Sequence, residues 1–447
     1  MAEEPKHVTW ASSQRFVPRA FVSPLLRFAQ IEASSGTVLV VAAMAAVVWA
    51  NLAPDSYQQV FATPFLLEVG TFHLEETLQH LINDGLMAIF FFVVGIEIKR
   101  ELVAGELADP RKATLPALGA LGGMVVPALI YLLLAKTSGE VGRGWGIPMA
   151  TDIAFAVGVI SLLGKRVPNG AKLFLLTLAI ADDIGAIAVI ALFYTDDLSA
   201  VWLIVAGLGL AAVWGANRVG IRSLTFYVPA ALVVWFATLE SGVHATLAGV
   251  ALGLLTPARP YYALSEFHRA GRELMGRLEV EDDDVIERER ADYPLLTVSD
   301  FARESVAPLG RIELRLGIWA SYAIVPLFAL ANAGVYFGGT PIIESLTSPV
   351  GLGVALGLVV GKLTGITLFT VVALRTGLGR LPSGMNTRHL IGVSLLGGIG
   401  FTVALFIVAL AFDDPLLIAD AKVGIFAASI VAGIAGYTML RIRRSAT

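Results

Sequence analysis

Long apolar runs, each closed by a short polar or glycine/proline break, repeat along almost the whole chain. At 1.5 Å rise per residue their lengths match a hydrocarbon core of about 30 Å, so each predicts a membrane-spanning helix. The runs cover residues 35–52, 80–98, 113–135, 145–164, 171–194, 199–216, 223–240, 242–256, 316–333, 350–374, 388–411 and 417–440. The eighth is short, and only Glu240-Ser241-Gly242 separates it from the seventh. The pattern therefore predicts an all-α polytopic membrane protein of about twelve transmembrane helices.

The connecting segments carry an orientation signal. Residues 53–79, 195–198, 241, 334–349 and 412–416 hold no Lys or Arg, and on that side only Lys136 and Arg143 break the pattern. The opposite side holds Lys99, Arg100, Arg111, Lys112, Lys165, Arg166, Arg218, Arg222, Arg375, Arg380, Arg388, Arg441, Arg443 and Arg444. Positive charge stays inside, so both termini are expected in the cytoplasm. The organisation expected is an N-terminal segment at 1–34, helices one to eight over 35–256, a charged cytoplasmic loop at 257–314, helices nine to twelve over 315–440 and a tail at 441–447. Phe16 to Phe28 mixes aromatics and arginines and suits the membrane surface. An outer hairpin is expected within 53–79, where β-branched and aromatic residues are interrupted by Pro64 and Gly70. The loop holds eight arginines and thirteen acids, and its Glu281-Asp282-Asp283-Asp284 run lacks the spaced ligands of a calcium loop.

Composition agrees with the pattern and narrows the chemistry. The chain is 56% hydrophobic and 15% charged, with mean hydropathy +0.76, which is not a soluble profile. A net charge of −4 gives no basic surface for nucleic acid. The absence of cysteine removes disulfides, thiolate metal sites and cysteine nucleophiles. The first 33 residues are polar or amphipathic, so Thr37–Trp49 reads as an uncleaved first span rather than a signal peptide.

Against this background the ionisable residues inside the spans stand out. They include Asp84 and Glu97 in the second, Asp152 in the fourth, Asp182 and Asp183 in the fifth, His244 opening the eighth and Lys362 in the tenth. A charge at the bilayer centre costs about 2.5–3.5 kcal/mol on insertion scales, and an ion path is the usual reason to keep one. Asp182 and Asp183 are adjacent, so on a helix they point about 100° apart and cannot share one role. Lys362 needs a carboxylate or helix C-terminal carbonyls for company, and Asp182 or Asp183 is the natural partner. Pro148 interrupts the fourth span beside Thr151 and Asp152, and Gly397, Gly398 and Gly400 interrupt the eleventh. Interrupted spans in two separate parts of the chain point to a transport site and make spans 3–5 and 10–12 candidate inverted repeats.

The longer motifs carry a resemblance. INDGLMAIFFFVVGIEIKREL, GIPMATDIAFAVGV, LTLAIADDIGAIAVIALFYT, SGVHATLAGV, PLFALANAGV, GKLTGI and LLGGIGFTVALFI are similar to the NhaA family of sodium/proton antiporters, over most of residues 35–440. The resemblance implies twelve helices, with the fourth and eleventh unwound and crossing at mid-membrane, an inverted-repeat arrangement for which that family is known. It implies electrogenic export of Na+, and of Li+, in exchange for H+, and a role in pH homeostasis. It also implies a homodimer in the lipid bilayer, joined partly by the outer hairpin. No cofactor is implied, and the protein is expected to be a secondary transporter rather than an enzyme. By resemblance Asp183 is the direct cation-binding carboxylate and Asp182 the partner of Lys362, so the only metal expected is transient Na+ at Asp183 and Asp182. Asp152 and Thr151 match residues beside the broken fourth helix, and Asp84 an aspartate toward the outer exit. Glu97, Arg100, Glu101 and Glu313 match a cytoplasmic pH-sensing cluster. The family's histidines just after Glu313 are absent, since Leu314 and Gly317 stand there, and the preceding loop is longer than in well-known members.

Three other functions share parts of this pattern. Sodium-coupled symport of a small solute would need a pocket for that solute. An intramembrane aspartyl protease would need its aspartates on facing helices, one in a GxGD setting that does not occur here. A membrane scaffold would leave Asp152, Asp182, Asp183 and Lys362 unexplained.

Overall fold

A computed structural model describes residues 32–69, 72–135, 139–195, 198–221, 223–275, 296–338 and 341–442. The surface-lying stretch Phe16–Phe28, the acidic run Glu281–Asp284, Lys136, Arg222, Arg443 and Arg444 fall outside the described residues.

Among the described residues nine helices are long and apolar enough to cross a bilayer. They are Ser34–Leu52, Leu78–Ala104, Pro110–Ala135, Glu140–Leu162, Asn169–Phe193, Ala200–Val219, Pro308–Asn332, Pro349–Arg375 and Pro415–Arg441. A bent pair, Thr387–Leu396 and Phe401–Ala411, forms a further span with a 45° break. The shorter apolar helices Leu224–Glu240 and Thr246–Leu255 occupy the seventh and eighth positions. Each predicted run is thus helical, and the ordinal numbers below follow that order. The third, ninth, tenth and twelfth spans open on Pro110, Pro308, Pro349 and Pro415. Proline is preset for the first helical position, where its missing N–H has no partner to lose.

Two boundaries differ from the hydropathy pattern. The eighth helix starts at Thr246, because Gly242 turns the chain at φ +79°, so His244 lies in the turn before the helix. The ninth span starts at Pro308, where the Leu309 amide bonds the Pro257 carbonyl at 3.2 Å, and Glu313 therefore sits on a helix.

The chain divides into two compact units. The first comprises the described residues of Met1–Met87, Asp109–Asp196 and Ala320–Thr447. Its close packing depends on a ladder of glycines in the tenth span, Gly353, Gly357, Gly361 and Gly365, one every four residues. On a helix that spacing places all four on one face. A Cβ on Gly353 would meet Tyr131, on Gly357 it would meet Pro148, on Gly361 Pro127, and on Gly365 the Gly122 carbonyl. Small residues let membrane helices approach backbone to backbone, where packing rather than hydrophobicity drives association. The ladder seats the tenth span against the third and passes through a π-helical turn at Gly357–Gly361, directly before Lys362. Such turns are rare and recur at functional sites.

In the same unit the helix Pro54–Phe61 follows the first span. Its Tyr57 hydroxyl donates to the Leu330 and Ala331 carbonyls at 2.9 and 2.8 Å and accepts from the Gly334 amide at 3.2 Å. Burial pushes that phenol up to about 12. Two antiparallel strands follow, β1 (Pro64–Val69) and β2 (Phe72–Thr77), paired in register from Pro64 with Thr77 to Val69 with Phe72.

The second unit comprises the described residues of Ala88–Ala108 and Asp197–Trp319. Here too glycines set the approach. A Cβ on Gly95 would meet the Val250 carbonyl at 2.7 Å, and one on Gly253 the Phe92 carbonyl at 2.5 Å, so the eighth helix lies against the later part of the second span.

Candidate functional site

The fifth span, Asn169–Phe193, is helical throughout and carries both central aspartates, Asp182 at 1% and Asp183 at 8% exposure. Asp182 Oδ2 accepts a hydrogen bond from Lys362 Nζ at 2.6 Å, and Lys362 is fully buried. The adjacent Asp183 projects about 100° around the helix from this pair. Lys362 Nζ also donates to Thr151 Oγ1 at 2.9 Å, and that hydroxyl donates onward to the Gly397 carbonyl at 2.8 Å. One chain of hydrogen bonds thus runs from the fifth span through the tenth and the interrupted fourth to the break of the eleventh. The other carboxylate oxygen, Asp182 Oδ1, is buried with no hydrogen-bond partner among the described residues. Removing two charges from water costs several kcal/mol per ion, which only close pairing and further hydrogen bonds offset.

The fourth span is interrupted as the Pro148 position suggests. A tight 3-10 stretch, Gly144–Met149, gives way to extended chain at Ala150, and the helix resumes at Ile153. Asp152 is the N-cap of that resumed helix, its Oδ1 accepting from the Phe155 amide at 2.9 Å. Its Oδ2 accepts from Thr402 twice, from the amide at 3.1 Å and from the hydroxyl at 2.5 Å. Thr402 lies in the first turn of Phe401–Ala411, so one carboxylate serves the N-terminal ends of both half-helices. Those ends carry partial positive charge, and an anion there is favourable. The Asp152 amide completes the crossing by bonding the Ile399 carbonyl at 2.7 Å.

Gly397, Gly398 and Gly400 sit at this crossing for reasons of space. Gly397 and Gly400 have ordinary right-handed φ of −60° and −88°. A Cβ would meet Ile366 at 2.9 Å from Gly397, the Leu358 carbonyl at 2.5 Å from Gly398 and the Leu358 side chain at 2.9 Å from Gly400.

The remaining candidates fall in both units. Asp84 lies in the π-helical turn Leu81–Leu86 of the first unit, within electrostatic range of His80 and Glu76. In the second unit Arg100 pairs with Glu313, and Glu97 lies within range of Glu313, Arg100 and Glu101. Glu101 is buried and accepts from the Glu106 amide at 3.0 Å.

Several polar residues of the first unit escape the sequence pattern. Thr402 reads as one more threonine in an apolar run. Lys422 and Asp420 lie in the twelfth span, and Lys422 Nζ reaches the Gly334 carbonyl at 3.4 Å. Their charges inside an apolar run are the same signal that marks Lys362. Asn83 and Asn332 are buried and exchange amide hydrogen bonds of 2.7 and 3.3 Å, joined by Gln79 at 3.2 Å. That pairing links positions far apart in sequence and leaves no local trace.

Two interrupted spans, crossing around a carboxylate–ammonium pair in a polytopic helical protein, define a secondary transporter of small ions. A family model described as "Na+/H+ antiporter 1" matches residues 26–440. The Na(+)/H(+) antiporter NhaA of Koribacter versatilis is 46% identical over 426 residues, 95% of this chain and 92% of that protein. That of Oleidesulfovibrio alaskensis is 44% identical over 425 residues, 94% of each. The Na(+)/H(+) antiporter NhaA 2 of Myxococcus xanthus is 43% identical over 433 residues, 97% of this chain and 92% of that protein. The chain belongs to the Na+/H+ antiporter 1 family. It is a multi-pass membrane protein and a sodium/proton antiporter, a secondary transporter rather than an enzyme. Sodium-coupled symport receives no support from these relatives.

Proposed function

We propose that Asp183 is the seat of the transported cation and that Na+ and H+ compete for it, with Asp182 and Thr151 completing the site. The observation that carries this reading is the hydrogen-bond chain Asp182–Lys362–Thr151–Gly397 beside Asp183. It ties a carboxylate to the crossing of the two interrupted spans, so loading the site changes groups that hold the crossing together. Asp182 Oδ1, without a hydrogen-bond partner among the described residues, offers an oxygen to an alkali cation, which prefers oxygen ligands. In this reading Lys362 offsets the carboxylate when Asp182 is ionised and the pair opens when Asp182 takes a proton. Asp152 holds the two half-helix N-termini at fixed separation. Alternating access then delivers the site to each side in turn, one or the other ion aboard.

The finer features of the reading follow the family. Transport is electrogenic and accepts Li+ as well as Na+, and no resident cofactor takes part. Asp84 lies on the outer route, and Glu97, Arg100, Glu101 and Glu313 respond to cytoplasmic pH. The protein works as a homodimer in the bacterial inner membrane, with strands β1 and β2 at the subunit contact and both termini in the cytoplasm. The segment that precedes the ninth span, from residue 257 to 307, serves as a cytoplasmic spacer. Reconstitution into liposomes with an internal pH dye tests the core of this. Sodium addition drives proton movement in the wild type, and Asp183→Asn abolishes it. Exchange at normal apparent affinity in the variant removes Asp183 from the seat.

A further inference from the structure

The stretch that leads into Thr151 and Asp152 is held by an unusual anchor. Tyr194, the C-cap residue of the aspartate-bearing fifth span, is 2% exposed. Its hydroxyl donates to the Arg143 carbonyl at 2.6 Å and accepts from the Gly146 amide at 3.2 Å. It thereby clasps both ends of the first 3-10 turn of Gly144–Met149. The neighbouring Phe193 and Trp145 pack edge to face at 5.1 Å, adding an apolar contact between the same two segments. From the third span, buried Tyr131 donates to the Val141 carbonyl at 2.8 Å. Gly144 and Gly146 are shaped to these rings. A Cβ on Gly144 would collide with Tyr131, and one on Gly146 would lie 2.5 Å from the Tyr194 hydroxyl. Gly146 is not among the positive-φ glycines, so space is what excludes a side chain there.

From Gly146 the chain reaches Thr151 through Ile147, Pro148, Met149 and Ala150, all buried. Tightly wound backbone, a proline and full burial leave this path little slack. The position of the Thr151 hydroxyl therefore follows from where Gly146 is fixed, and Gly146 is fixed to the end of the helix that bears Asp183.

We propose that the Tyr194 hydroxyl is a positioning group for the cation seat. It sets the separation of Thr151 from Asp183 and thereby governs apparent Na+ affinity and the discrimination between Na+ and Li+. The proposal rests on the assignment of Asp183 and Thr151 to that seat. Cation choice depends on cavity size and rigidity, so a loosened clasp changes the ratio of affinities. A clasp that served stability alone would lower the active fraction and leave that ratio untouched.

The experiment is sodium- and lithium-driven proton exchange in liposomes reconstituted with wild type, Tyr194→Phe, Gly146→Ala, the double variant and Asp183→Asn, with thermal unfolding of each in detergent. Tyr194→Phe keeps the ring and removes the hydroxyl. It removes both hydrogen bonds of the clasp and is expected to raise the apparent Na+ KM about fivefold, with a changed Na+/Li+ KM ratio and little change in maximal rate. Gly146→Ala is expected to do at least as much, because its methyl displaces the hydroxyl. In the Tyr194→Phe background the same alanine faces only ring carbons at 3.2 Å, so its effect shrinks and the two changes are not additive. An unchanged KM and ratio in Tyr194→Phe, or full additivity in the double variant, overturns the clasp while loss of exchange in Asp183→Asn leaves the seat standing. Normal exchange in Asp183→Asn overturns the seat, and the clasp with it.

Discussion

Gly365 of the tenth span and Gly122 of the third touch backbone to backbone, each placed where a Cβ would strike the other's carbonyl. This contact brings Lys362 into the core. One turn further along the ladder, Gly361 lies against Pro127, and a Cβ on Gly123 would lie 3.6 Å from the Lys362 side chain. Gly365→Ala should therefore separate the two helices and lower stability by about 1–3 kcal/mol, the usual cost of overpacking. Gly207→Ala is the control, since its Cβ meets nothing within 4 Å in the middle of a helix. That change should be neutral or stabilise by up to about 1 kcal/mol. Thermal unfolding in detergent compares the two, and equal shifts would deny the ladder its role.

Lys362→Met leaves the Asp182 carboxylate buried with its only ammonium partner among the described residues gone. Breaking a buried pair from one side costs about 3–5 kcal/mol, whereas replacing both members by neutral groups costs far less. The single variant should lose much of its thermal stability. The double variant Lys362→Met with Asp182→Asn should recover a large part of it. If the double variant is as unstable as the single, the lysine is held by something other than Asp182.

The spans and the acidic centre were legible because the bilayer makes every charge in an apolar run expensive. Asp182, Asp183, Asp152 and Lys362 stand out on that ground alone. Which aspartate Lys362 meets is a different question. Asp182 and Asp183 are neighbours in sequence but diverge by about 100° on a helix, so the answer depends on helix rotation, which packing sets. The fourfold glycine spacing from Gly353 to Gly365 is also present in the chain, yet the helix it faces is not. Thr402 shows the limit most clearly. Its hydroxyl matters only because two interrupted spans, far apart in sequence, bring it to Asp152. The π-helical turns at Leu81–Leu86 and Gly357–Gly361 leave no periodic trace at all, since a single wide turn does not disturb an already uniform apolar run.

Thr402→Val keeps the shape of the side chain and deletes the shorter of the two bonds to Asp152 Oδ2. Hydrogen bonds to charged groups contribute about 1.5–3 kcal/mol, so the variant should unfold at lower temperature. Asp152→Asn should cost more, because the amide replaces the charge that faces both half-helix ends. Matching melts for Thr402→Val and wild type would show that Asp152 is satisfied without the threonine.

Competition for one carboxylate fixes the sign of the pH response. When the seat is protonated it cannot take Na+, so lowering pH should raise the apparent Na+ KM. The rise should be about tenfold per pH unit for each proton that must leave, with maximal rate at saturating sodium unchanged. A separate sensor behaves differently: it would change the maximal rate at constant KM. In the proposed reading that sensor would be the Arg100–Glu313 pair of the second unit, with Glu97 and Glu101 in electrostatic range. Glu313→Gln removes the charge that Arg100 pairs with and leaves the Asp183 seat alone. Measured in liposomes at several pH values over a range of sodium concentrations, Glu313→Gln should leave the KM-against-pH slope in place. A shift confined to maximal rate would assign the cluster to gating, laid over the competition. If instead KM is independent of pH in the wild type, Na+ and H+ do not share a site, and the competitive mechanism fails whatever Glu313 does.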